Sequence, residues 1–296
     1  MLEAINLIAG ALLNPGDRVL VAAPTYLAAI HTFRTHRARI LSIPCDQGGI
    51  SAEGLEARLE DLDKLGTRPG FLYVIPTFQN PSGLTLSLER RKRIVDICRR
   101  FEVPILEDHA YAELRYGGDR IPTLKELAPE SVIFVHTFSK IFGPGVRLGW
   151  VVADPPVINT LCLFKMGGDQ CSNSLTQRLV FEAGKSGLLD LQVSRSIPLY
   201  RRKRDLLLQE LEQRLQGRVS WTRPEGGFYC WVSLPPGSDG GKLLETATQQ
   251  YNVAFVAGSP FFADNQGKEN LRLSFSFIDE ELIPEGVRRL AKILEE

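Results

Sequence analysis

Thr137-Phe138-Ser139-Lys140 places two hydroxyls and a primary amine at the end of an apolar run, Val132 to Val135, and Arg147 follows seven residues after the lysine. An amine attacks a carbonyl to form a Schiff base, while hydroxyls and a guanidinium take a phosphate through hydrogen bonds and charge. Together they suit a phosphate-bearing aldehyde held by one covalent bond. Taken alone, the tetrapeptide also reads as a solvated lysine in a polar turn.

Two further apolar runs end the same way. Phe71 to Pro76 leads into Gln79-Asn80-Pro81-Ser82-Gly83, and Val103 to Leu106 leads into Asp108 and Tyr111. Runs of strand length followed by polar residues predict buried parallel strands with functional groups at their carboxyl ends, where open α/β sheets bind ligands. Pyridoxal phosphate (PLP) fits the combined set. A carboxylate against its pyridine nitrogen keeps the ring protonated as an electron sink, and Asp108 is the candidate. Asn80 and Tyr111 suit its phenolic oxygen as donors. Tyr26, after the strand-like Arg18 to Ala22, can stack on the ring. Each also has a simpler reading: Asn80 in a turn, Asp108 as a helix cap, Tyr26 as core.

The motifs QNPSG, EDHAY, TFSK, GPGVRLG and Asn270-Leu-Arg272-Leu-Ser-Phe-Ser occur in this order over nearly the whole chain. Together they resemble the fold-type I PLP enzymes, and within them the class I/II aminotransferases. The chain is most similar to the branch holding 2-aminoadipate and kynurenine aminotransferases and the aminotransferase-like domains of GntR-type (MocR) regulators. The resemblance implies Lys140 as the internal aldimine, Asp108 at the pyridine nitrogen, Asn80 and Tyr111 at the phenolic oxygen, and Tyr26 over the ring. It implies Thr137, Ser139 and Arg147 at the phosphate. Arg272 is implied at the substrate α-carboxylate, a role suited to a guanidinium fork; alone it also reads as an exposed strand arginine. The activity implied is transfer of an amino group from an L-amino acid to a 2-oxo acid, by a homodimer. The same residues would serve a PLP-sensing regulator domain, a non-catalytic remnant, or a PLP-dependent lyase or racemase.

Relatives carry roughly a hundred residues before the point where this chain begins, more than a disordered tail. Leu2 to Leu13, stopped by Asn14-Pro15-Gly16, matches the helix after the family's Gly-Ser-Gln phosphate turn. That turn, the first strand of the large sheet and the N-terminal arm are expected to be missing. Leu148 to Ala153 is then expected to form an open sheet edge.

The elements that must position these groups read as follows. To about Ala153, helical and strand patterns alternate, predicting a mostly parallel sheet covered on both faces. From about Val219 strand-like runs alternate with helical patterns, predicting a smaller C-terminal α+β domain that brings Arg272 over the cofactor. We expect a PLP-binding large domain over 1–195 and a small domain over 196–296, with a long helix from Tyr200 to Leu215. The 296 residues, 44% hydrophobic and 24% charged, suffice for such a core.

Lys+Arg and Asp+Glu each total 35, giving zero net charge, which argues against a nucleic-acid partner. The basic clusters Arg90 to Arg93 and Arg201 to Arg204 lie in helical patterns. Ile94, Ile97, Cys98 and Phe101 are expected to face the core and the basic residues water. Five cysteines without a C-x-x-C pair suggest a reducing compartment, and no secretory signal or membrane-length run is visible; the cytoplasm is expected. No metal is expected: His109 has no second histidine or cysteine at ligand spacing and reads as a packing residue. Gly143 to Gly149 resembles a dinucleotide fingerprint but is followed by a strand pattern, so it reads as the turn that places Arg147.

Overall fold

In a computed structural model, which describes residues 1–264 and 266–295, the chain forms two sheets with helices packed against them. The first half alternates as expected: α1 (Leu2–Leu12), β1 (Arg18–Ala23), α2 (Leu27–Thr35), β2 (Arg39–Asp46), β3 (Gly49–Ile50), α3 (Ala52–Lys64), β4 (Phe71–Val74), α4 (Leu88–Arg100), β5 (Ile105–Asp108), α5 (Leu124–Leu127), β6 (Val132–Thr137) and β7 (Gly149–Val152). The seven strands are ordered β3-β2-β1-β4-β5-β6-β7. β2, β1, β4, β5 and β6 run parallel, while β3 and β7 are antiparallel additions at the two edges.

Side-chain alternation along the strands builds both cores. Leu20, Leu72, Ile105 and Val132 face α3 and α4, packing on Leu55, Leu59, Ile94 and Cys98. Val19, Phe71, Leu106 and Ile133 face the other way, onto Ile5 and Ile8 of α1 and Phe33 of α2. Strands buried on both faces need near-continuous apolar runs, which is why these runs were legible. Serine hydroxyls start α3 and α4: Ser51 accepts from Gly54 N–H and Ser87 from Arg90 N–H. As expected, β7 stands at the sheet edge, with Val152 exposed.

Beyond β7 come α6 (Pro155–Gly168), α7 (Ser174–Lys185) and α8 (Leu188–Leu215), then β8 (Ser220–Trp221), β9 (Tyr229–Ser233), α9 (Gly240–Gln250), β10 (Val256–Ala257), β11 (Asn270–Ser274) and α10 (Ile283–Ile293). The second sheet is antiparallel, ordered β10-β11-β9-β8. The predicted long helix starts earlier than Tyr200, with Pro198 accommodated inside it. The predicted strand at Val253 to Val256 forms only at its end. A third core joins Leu207, Leu211, Val232, Leu271 and Leu290 with Tyr111 and Leu114 from the first half.

Two basic residues depart from expectation. Ile94, Ile97 and Cys98 are buried as predicted, but so is Arg91. Its guanidinium donates to the carbonyls of Leu86, Pro122 and Pro76 and to Thr77 Oγ1, at 2.7 to 3.0 Å. Lys203 is also buried, donating to Ile278 O at 2.6 Å. Helical periodicity counts apolar residues, and it misses a cation whose donors are satisfied by loop carbonyls.

Candidate active site

Four of the parallel strands end in a common region, and each delivers predicted groups there. After β1, Pro24 leads to Tyr26; after β4 comes the Gln79 to Gly83 loop; β5 ends in Asp108; β6 ends in Thr137. The loop after β4 is tied down at both ends. Gln79 Nε2 donates to Pro24 O at 2.8 Å, and Gln79 Oε1 accepts from Ser82 N–H at 2.7 Å. Arg91 pins Pro76 and Thr77 just upstream, so a residue assigned to water by periodicity instead positions the loop that carries Asn80. Gly83 has φ of 72° and lies against the second sheet; a Cβ there would come within 2.7 Å of Tyr229 O.

A continuous run of contacts links the two sheets. The Lys140 ammonium lies 5.9 Å from the ring centroids of Tyr111 and Phe228. Tyr111 and Tyr229 meet edge to face with centroids 5.8 Å apart. The Arg272 guanidinium sits 4.0 Å above the Tyr229 ring and donates from Nη1 to Asn80 Oδ1 at 2.8 Å. With Oδ1 thus engaged, the Asn80 amide NH2 is left as a donor. Arg272 Nε is buried without a partner.

Asp108 is 2% exposed. Tyr73 OH donates to its Oδ2 at 2.7 Å, while Oδ1 is buried with no partner. Burial raises its pKa to about 6, partly offset by the Tyr73 hydrogen bond. Burial likewise raises Tyr111 well above the usual phenol value, with Tyr229 the next cause. Tyr26 is raised by burial and then by the charge of Asp108.

At the end of β6, the Thr137 hydroxyl lies 3.0 Å from Ser139 Oγ and accepts from Ser139 N–H at 3.1 Å. Arg147 follows a 3-10 turn, Pro144–Val146, in the left-handed conformation with φ of 51°. It is exposed, and its Nη1 donates to Pro144 O at 3.3 Å.

His109 is buried and packs against Phe134 and His136, as its reading as a packing residue implies. His136, 27 residues on, lies beside it with ring centroids 5.6 Å apart, and His136 Nε2 is 2.8 Å from Glu113 Oε1. Burial lowers the His109 pKa to about 4. Spacing along the chain did not reveal this neighbour, because adjacent strands β5 and β6 bring distant residues together. A cavity of about 640 Å³ lies behind the Gln79 loop, lined by Pro24, Gln79, Ser82, Trp221, Trp231 and Asn270. None of the predicted groups lines it, and the chemistry is assigned by the groups rather than by this volume.

The residues present fit PLP. A buried carboxylate oxygen lacking a donor is what a protonated pyridine nitrogen would satisfy, and a primary amine stands among aromatic rings nearby.

Residues 2–290 match the family model described as aminotransferase class I and II. The chain is 40% identical to the aromatic-amino-acid aminotransferase 1 of Thermococcus litoralis, over 99% of this chain and 70% of that protein. It is 39% identical to the 2-aminoadipate transaminase of Thermus thermophilus, over 99% of this chain and 73% of that protein. Among solved structures, the kynurenine aminotransferase of Pyrococcus horikoshii superposes with a TM-score of 0.97 at 39% identity, over 99% of this chain and 73% of that one. The alternating sheet, the antiparallel second sheet and these matches agree: the chain belongs to the class I and II aminotransferases, fold-type I enzymes that use PLP to move amino groups.

Proposed function

We propose that the chain performs transamination between an L-α-amino acid and a 2-oxo acid with its groups in the following roles. Lys140 would supply the amine that anchors the cofactor and would serve as the base that takes the proton from the substrate Cα. Asp108 Oδ1 accepts the hydrogen bond of the pyridine nitrogen. The Asn80 amide and Tyr111 hydroxyl donate to the phenolic oxygen, and Tyr26 covers the ring. Thr137, Ser139 and Arg147 hold the phosphate. Arg272, held between Asn80 and the Tyr229 ring, takes the substrate α-carboxylate through its free donors. Bound PLP supplies the electron sink for the carbanion left at Cα.

The observation that carries this reading is Asp108: a buried carboxylate with one oxygen satisfied by Tyr73 and the other by nothing. The decisive test is the visible absorption spectrum of the chain after PLP addition and desalting, beside Lys140→Ala and with amino-acid turnover in parallel. A retained band, lost in the variant, with turnover supports the reading. A band without turnover on any amino donor would favour a sensor domain.

We further assign the division 1–195 and 196–296, placed within α8 near Pro198. Exposed apolar side chains on α6 and α7, among them Leu163, Phe164, Leu175 and Phe181, support a homodimer. The five free cysteines support a cytoplasmic setting, and zero net charge speaks against a nucleic-acid partner. Among the described residues no helix is long and apolar enough to cross a membrane.

A further inference from the structure

Outside the groups just assigned, one cluster among the described residues carries the donors of a metal centre. His109, Glu113 and His136 each offer a ligand atom, and these atoms all lie within 4.8 Å of one another. His136 Nδ1 lies 2.7 Å from Thr137 N and 3.2 Å from Thr137 O; in the tautomer that donates to this carbonyl, Nε2, 2.8 Å from Glu113 Oε1, keeps the lone pair a metal needs. Two polar atoms of the cluster, His109 Nδ1 and Glu113 Oε2, are buried without any hydrogen-bond partner. His109 is 9% exposed and His136 2%, whereas the Glu113 side chain is 36% exposed, leaving an approach from solvent.

We propose that His109, Glu113 and His136 bind a divalent cation of the zinc class, with water in the fourth position. Two imidazoles and a carboxylate suit zinc, cobalt or nickel, whereas magnesium and calcium take oxygen donors. Bonds of about 2.0–2.2 Å at tetrahedral angles place two ligands roughly 3.3–3.6 Å apart, so atoms now up to 4.8 Å apart must close by a little over ~1 Å, within reach of side-chain rotation. The local charges permit it. Arg91 and Arg120 influence His109, but Arg91 is spent on four acceptors and Arg120 pairs with Glu126 at 2.6 Å. Trp150 stacks on His136 with ring centroids 4.2 Å apart and planes 8° off parallel, which holds that ligand in place. Because Glu113 follows Asp108 and Tyr111, and His136 precedes Thr137, the ion would brace the ends of β5 and β6 against each other.

The test needs no PLP. The full chain, stripped with a chelator and dialysed, is titrated with Zn²⁺ by calorimetry and with Co²⁺ by absorption and tryptophan fluorescence. Expected are one ion per chain, a raised Tm, cobalt d–d bands without thiolate charge transfer, and quenching that disappears in Trp150→Phe. Glu113→Gln keeps the volume and an oxygen facing His136, and it should weaken binding by about tenfold or more. Absence of binding, thiolate bands, or affinity unchanged in Glu113→Gln would overturn the proposal. If Glu113→Gln does not fold, the quenching comparison between the wild type and Trp150→Phe decides: quenching that persists in Trp150→Phe refutes the site.

Discussion

Glu107 and Asp108 are consecutive on β5, both are buried, and they point to opposite faces of the sheet. Glu107 meets the start of α5, where its two oxygens accept from Leu124 N–H at 3.1 Å and Lys125 N–H at 2.8 Å. Asp108 meets Tyr73 with one oxygen and nothing with the other. Burial raises both, Glu107 to about 7 and Asp108 to about 6. Equal burial and a similar shift thus belong to a carboxylate with both oxygens paired and to one with an unpaired oxygen. The difference lies in the unmade hydrogen bond, not in the pKa.

The face that holds Asp108 should answer to activity. Lys140→Ala is expected to abolish turnover with every amino donor and to remove the cofactor absorption band; an active variant would sink the mechanism. Asp108→Asn keeps the shape but cannot hold a protonated ring nitrogen, and we expect kcat to fall by about 10²-fold or more, in the range of acid–base contributions. The same variant should be at least as stable as the wild type before PLP is added, since it removes a half-satisfied buried charge. Arg272→Ala should act mainly on KM, raising it about ten- to a hundredfold, the worth of a hydrogen bond between charged groups.

The opposite face should answer to stability alone. Glu107→Gln leaves one of two helix-start N–H groups facing an amide NH2, and a loss of about 1–3 kcal/mol is expected in denaturant unfolding. Turnover per folded molecule should not change; a large drop in kcat would erase the distinction drawn here. The last effect concerns pH. For a carboxyl whose folded pKa is raised, the stabilisation is fully present below the unfolded value and lost as pH rises through the folded one. Without PLP, both residues should therefore lower Tm between about pH 4 and 7. Adding PLP should cancel the share of Asp108, whose charged form then has a partner, and leave that of Glu107. Melts of the two variants across this range separate the contributions.

Much of this was legible beforehand because parallel strands buried on both faces leave unbroken apolar runs, and polar residues just beyond them stand out. The Glu107 and Asp108 pair was legible only in part. Asp108 drew attention through its place at a strand end, but nothing in the order of residues says that Glu107 finds an N–H for each oxygen while Asp108 is left with Oδ1 unpaired. Arg91 was misjudged for the same reason, since its acceptors come from Pro76, Leu86 and Pro122 in separate loops.

The chain's order of residues by itself determined the alternation of elements and the family, and it singled out Lys140, Asp108, Asn80 and Arg272 as candidates, because each of these depends on local pattern. Only the tertiary structure decided which of them meet. The 2.8 Å bond from Arg272 to Asn80 spans 192 residues, and the gathering of His109, Glu113 and His136 depends on β5 lying beside β6. Such contacts follow from strand order and from which face each side chain takes, quantities that arise when the sheet closes and that no short window of sequence contains.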